Sequence, residues 1–262
     1  MVCTCQHFRD LFLRRKLYRQ AEIYSGDFDN AEFAARLARL PLAEQPGTRW
    51  DYGHSLDVLG RVIEVVSGRS LYKFEKERLL DPLGMTHTGF FVPDGTKPLV
   101  AKFMPDDPMT PIAGITDPTQ PGKWESGGAG MVGTMGDYAR FVQMLLNGGT
   151  LDGRRYLKPE TVALIASDHI GPGSGIANTH LYFLGTHSGY GLGLAVLTPE
   201  LRNRPWPAGD YGWDGVAGTF FFVDPKDDMF VLCMMHTPAN RGRIENELTT
   251  LVYRAMAKPA MP

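Results

Sequence analysis

The sequence predicts an α+β fold in which helices come first and an antiparallel hairpin with a closing helix comes last. Three observations carry that expectation. From Asp29 to Leu80, apolar residues recur at helical spacing. In the last third, Phe220-Phe-Phe222 and Val231-Leu-Cys233 form apolar runs joined by Asp224-Pro-Lys-Asp-Asp228, a turn composition. Beyond them Ile244, Leu248, Leu251, Val252 and Ala255 give one apolar stripe on a C-terminal helix.

Taken in order, residues 1–28 show weak periodicity and a basic cluster, Arg14-Arg-Lys16, and read as an irregular N-terminal segment. Residues 29–262 read as one domain, with 29–188 mainly a helical lobe and loops and 189–262 the strands and closing helix of a sheet lobe. Asp29 caps a helix carrying Phe33, Leu37 and Leu40 that stops before Pro41. Leu56, Leu59, Ile63 and Val66 predict a second helix over about 54–66, closed by Gly68. Ser70 caps a third helix expected to end near Leu80, ahead of Pro82. The proline-rich stretch 91–125 lacks periodicity, and so long a connection belongs beside a site. Thr134 and Asp137 resemble a capping box for a helix over 136–146, and Pro159 opens another short helix. Residues 190–197, 218–223 and 229–236 read as strands.

Composition excludes several classes of function. With 43% hydrophobic and 21% charged residues the chain is of ordinary globular type. A net charge of −2 gives no electrostatic reason to expect nucleic acid or an anionic membrane as partner. No apolar run approaches the ~20 residues that span a bilayer. The first ten residues lack the order of a secretory signal, so the chain as given is expected to be cytoplasmic. Three cysteines are too few for a disulfide scaffold, and Cys3, Cys5 and His7 have no second ligand pair at zinc spacing. Neither a metal nor a cofactor is expected.

The motifs are more specific than the composition. Gln45-Pro-Gly-Thr-Arg-Trp-Asp-Tyr52-Gly-His54 precedes Asp57-Val-Leu-Gly-Arg-Val-Ile-Glu-Val-Val-Ser-Gly, and Asp81-Pro-Leu-Gly-Met-Thr-His-Thr-Gly-Phe90 follows. Further on come Gly127-Gly-Ala-Gly-Met-Val-Gly, Gly136-Asp-Tyr-Ala-Arg-Phe141, Gly189-Tyr-Gly-Leu-Gly-Leu and Trp213-Asp-Gly215 with Gly218-Thr219. In this order the pieces resemble the serine β-lactamase and penicillin-binding-protein superfamily, in its esterase (family VIII-like) branch. The resemblance implies a β-lactamase-like fold from about residue 29 onward. In that family a Ser-x-x-Lys segment stands upstream of the tyrosine motif, so the chain is expected to be truncated at its N-terminus. Such enzymes cleave small esters or lactams through an acyl-serine intermediate.

By resemblance Tyr52 is the general base, Val216 supplies a backbone N–H to the oxyanion, and Trp213 and Gly215 line the substrate site together with His54. A tyrosine with a pKa near ~10 serves as a base at neutral pH only beside a positive charge. Asp214 departs from the family pattern and is expected to point outward. Of eight serines, Ser70 alone has a lysine three positions later, Lys73. It follows Tyr52 where the family places the pair before it, so Ser70 reads as a helix cap and a decoy, and the nucleophile is unknown. His169, His180 and His187 read as polar loop residues.

The leading expectation is an esterase-type chain inactive or impaired by itself. A non-catalytic binding protein that keeps the pocket, and an active esterase using Ser70, are the rivals. The partner expected is a small ester or lactam, together with self-association through an exposed sheet edge.

Overall fold

A computed structural model of the chain describes residues 16–42, 45–104, 106–109, 117–176, 188–198 and 208–256. Cys3, Cys5, His7, His180 and His187 lie outside the described residues. The chain divides into two compact units, Met1–Lys97 with Asp117–Thr134 and Ile170–Thr186, and Pro98–Thr116 with Met135–His169 and His187–Pro262.

The first unit is helical. Helix α1, Asn30–Ala38, is capped by Asp29, whose side chain accepts from the Glu32 N–H, as its sequence dictates. Residues 16–28, read as irregular, are ordered over this helix: Ile23 and Phe28 are buried with Phe33. Arg36 holds that segment down, donating to the carbonyls of Glu22 and Ser25 while its guanidinium lies over the Phe28 ring. Helix α2, Ser55–Ser67, ends at Gly68 in the left-handed conformation. Its buried residues are Asp57 and Gly60, while Leu56, Leu59, Val62 and Val66 are exposed. The apolar stripe read from periodicity is thus not the packed face. Gly60 instead brings the α2 backbone against Gly127, where a Cβ on Gly127 would stand 2.3 Å from the Leu56 carbonyl oxygen.

Helix α3, Leu71–Glu75, begins at Ser70 as expected but does not stop before Pro82. It widens into a π-helical turn, Lys76–Leu80, and continues through Asp81–Leu83 to Gly84. Proline lacks an N–H for the preceding turn, and a widened turn upstream accommodates that loss. Glu64 ties the three helices together, accepting from Asn30 Nδ2, Leu71 N and Arg61.

The second unit is a sheet with helices on both faces. Among the described residues, strands β3 (Ser188–Tyr190), β4 (Ala195–Leu197), β5 (Tyr211–Asp214), β6 (Phe220–Asp224) and β7 (Met229–Cys233) form an antiparallel sheet in chain order. Helices α4 (Met135–Leu146), α5 (Pro159–Ile165) and α6 (Arg241–Met256) belong to this unit. A small hairpin, β1 (Thr150–Leu151) with β2 (Arg154–Arg155), turns on Asp152-Gly153.

Residues 190–197 are not one strand. Four residues, 191–194, fold β3 back on β4, so that Tyr190 pairs with Ala195. All five residues of β6 are buried, and alternate side chains serve opposite faces. Phe221 meets Tyr138 of α4 edge-on at 5.4 Å, and Phe222 stacks on Tyr253 of α6 at 6.0 Å. β6 is therefore covered on both faces, whereas β7 is half-buried along its length and ends at Cys233. The packed face of α6 carries Thr249 and Tyr253, and Leu251 and Ala255 face outward. Tyr253 decides this, since its ring and hydroxyl both find partners in the sheet.

Candidate active site

Tyr52 lies in the extended segment that enters α2, between buried Asp51 and the helix start, and its side chain is partly exposed. His54 occupies the cap position of α2, yet its side chain caps nothing. Its Nδ1 lies 2.8 Å from Asp57 Oδ2 and its Nε2 2.7 Å from the Tyr24 hydroxyl. The rings of Tyr18 and Phe33 flank the imidazole at 5.6 and 5.2 Å. Asp57 is buried, and its other oxygen accepts from the Ser126 hydroxyl. His54 can reach a substrate carbonyl only by releasing Tyr24 or Asp57.

Desolvation of the Tyr24 phenol, followed by the charges of Asp57 and Tyr52, pushes its pKa up to about 12. The sequence reading missed this cluster; the one local signal it offers is the i, i+3 spacing of His54 and Asp57, which puts the two on one helix face. Tyr24 and Ser126 carried no such signal.

Ser70 is where the sequence placed it, at the start of α3 with extended backbone, and its Oγ accepts from the Lys73 N–H at 3.3 Å. Both Ser70 and Lys73 are exposed. His169 sits in a loop, within 2.9 Å of the Leu164 carbonyl.

The remaining site residues belong to the second unit. Trp213 is on β5 opposite Phe221, its ring set edge-on to Tyr190 at 5.6 Å. Gly215 N donates to the Thr219 carbonyl and Gly218 N to the Gly215 carbonyl, closing a tight turn between β5 and β6. Val216 rides on this turn rather than on a strand; it is exposed, and its N–H has no acceptor among the described residues. Asp214 does not point outward. Its Oδ1 is buried without a hydrogen-bond partner among the described residues, and burial raises its pKa while the charge of Arg241 opposes the rise.

Residues 12–254 match the family model described as Beta-lactamase. The chain belongs to the beta-lactamase family. Its fold is the β-lactamase-like α+β fold, shared with EstCE1, a hydrolase with promiscuous acyltransferase activity, at a TM-score of 0.69 and 25% identity over 90% of this chain and 65% of that one. Protein Rv1367c of Mycobacterium tuberculosis is 37% identical over 217 residues, which is 78% of this chain and 53% of that protein. Esterase EstB of Burkholderia gladioli is 33% identical over 231 residues, 80% of this chain and 55% of the esterase. This beta-lactamase-family chain thus spans about half the length of the curated relatives it matches. Among the described residues no helix is long and apolar enough to cross a membrane, and no group of three or more metal-ligating side chains occurs.

Proposed function

We propose that this chain carries the tyrosine and turn components of an acyl-transfer site for small esters, and that Ser70 is not its nucleophile. Tyr52 is the general base, the Val216 N–H the oxyanion donor, and Trp213 with Gly215 the wall beside the acyl group. The esterase relatives support the substrate class, and an N–H on an exposed turn, without an acceptor among the described residues, suits a donor kept for a developing oxyanion.

The observation that carries the reading is the hydrogen bond from the Lys73 amide to Ser70. Ser70 spends its oxygen as a helix cap, and Lys73 is exposed. Neither feature activates a nucleophile. None of the other serines has a lysine one helical turn on. By itself the chain is therefore expected to sustain no ester turnover.

Steady-state hydrolysis of p-nitrophenyl butyrate tests this. After any first equivalent of product, the rate should equal that of buffer and be indifferent to Ser70→Ala and Tyr52→Phe. A steady-state rate well above buffer that Ser70→Ala abolishes would overturn the reading and restore the Ser70 esterase.

A further inference from the structure

The first unit contains a directed chain of hydrogen bonds that the acyl-transfer reading does not use. The Gly128 N–H donates to Ser126 Oγ at 3.3 Å, and the Ser126 hydroxyl donates in turn to Asp57 Oδ1. Asp57, as a carboxylate, accepts at its second oxygen as well, so the hydrogen of His54 sits on Nδ1, 2.8 Å away. Nε2 is left with a lone pair, and the Tyr24 hydroxyl lies 2.7 Å from it and donates. Asp57 thus selects the tautomer in which His54 is a base toward Tyr24. A carboxylate orienting an imidazole, whose other nitrogen holds a hydroxyl, is the arrangement that activates hydroxyl nucleophiles. Ser126 is not served in this way, since it is buried and bonded to the carboxylate. Tyr24 is 59% exposed and reachable.

We propose that Tyr24, His54 and Asp57 form a second nucleophilic site, at which the Tyr24 hydroxyl accepts an acyl group from activated esters of small carboxylic acids. The phenol oxygen attacks the carbonyl carbon while His54 Nε2 takes its proton, and Asp57 steadies the imidazolium. The tetrahedral adduct then expels the ester's aryloxide, which recovers the proton from His54. The Tyr24 O–H bond and the donor's acyl–oxygen bond break; an acyl–Tyr24 bond and the O–H of the released phenol form. No oxidant or reductant is needed. Because Tyr24 is pushed up to about 12, it is protonated at neutral pH and depends on His54 at the moment of attack.

The chemistry also sets the donor class. An acylated tyrosine is itself an aryl ester, so transfer runs downhill only from esters of more acidic phenols or from thioesters. Alkyl esters are not donors. Packing of the imidazole between Tyr18 and Phe33 holds Nε2 on the hydroxyl, and the Trp124 ring, 6.3 Å from that of Tyr24, offers an apolar neighbour for a short acyl chain.

The experiment is stopped-flow mixing of the full chain with p-nitrophenyl acetate, followed by peptide mass mapping. The expected result is a burst approaching one p-nitrophenolate per chain, with the acetyl group on Tyr24. Tyr24→Phe, which keeps the ring, should abolish the burst with an unchanged circular dichroism spectrum, and His54→Gln should slow it by about 100-fold. Acetyl groups scattered over lysines and other tyrosines, or a burst that survives Tyr24→Phe, would overturn the proposal. Should that variant unfold, the acetyl position in the unmodified sequence decides alone. An acyl-Ser70 found beside acyl-Tyr24 would contradict only the function proposed above, an acyl-serine without acyl-Tyr24 would overturn this site as well, and a missing burst would overturn this site alone.

Discussion

Asp57 is the residue on which the candidate site is organised, because its two oxygens fix Ser126 on one side and His54 on the other. Removing one donor leaves a buried carboxylate oxygen without its hydrogen bond, which costs roughly 1–3 kcal/mol. Ser126→Ala should lower unfolding stability in urea by that amount, and a loss below about 0.5 kcal/mol would show that Asp57 does not depend on it. At this scale the sequence told part of the story. The Ser70 cap was legible because its flanks are local. The Tyr24 and Ser126 partners were not, because they join residues 30 and 69 positions apart, and no local pattern announces such a pairing. Asp214 misled for a related reason: an isolated carboxylate reads as exposed, yet its carboxyl group is largely buried in the fold, which raises its pKa while the charge of Arg241 opposes the rise.

At the scale of elements, helix existence was readable and helix orientation was not. The period of α2 identified a helix, but the packed face is set by Gly60 and Gly127, where two backbones touch. Close backbone contact outweighs the larger apolar stripe because the neighbouring glycine loop leaves room for no side chain. Gly127→Ala should therefore destabilise by about 1–3 kcal/mol through overpacking, as read by chemical denaturation. Val66→Lys, on the exposed stripe near the end of the helix, should change stability by less than about 0.5 kcal/mol. The reverse ranking would place the packed face on the apolar stripe after all. The same logic explains α6, where the polar Tyr253 and Thr249 face the sheet and Leu251 faces water. The π-helical widening before Pro82 has no signature in the period, since it keeps the chain helical and only resets its phase.

For the whole molecule, buried carboxyl groups give folding a pH dependence whose sign can be worked out. The Tyr253 hydroxyl has one proton but lies 2.8 Å from Asp210 Oδ2 and 2.9 Å from Asp224 Oδ2. Both contacts are satisfied only when one carboxyl is protonated, and burial pushes Asp210 up to about 7. In the other unit, burial and the charge of Glu125 push Glu75 up to about 7 as well. In the unfolded chain these groups lose their protons near pH ~4. Between those values the folded state binds more protons, so this contribution to stability is complete below about pH 4 and is lost as pH rises through about 7. Thermal melts from pH 4 to 8 should show a falling midpoint, and Asp210→Asn should flatten part of the fall. A midpoint that climbs over that interval, with no response to Asp210→Asn, would refute this account.

Covalent labelling tests most directly which hydroxyl in this beta-lactamase-family chain is nucleophilic. The full chain would be treated with a fluorophosphonate, and the adduct located by peptide mass mapping. The structure predicts a phosphonyl group on Tyr24 and none on any serine. An adduct on Ser70 would contradict it, because a serine spent as a helix cap would then be the working nucleophile.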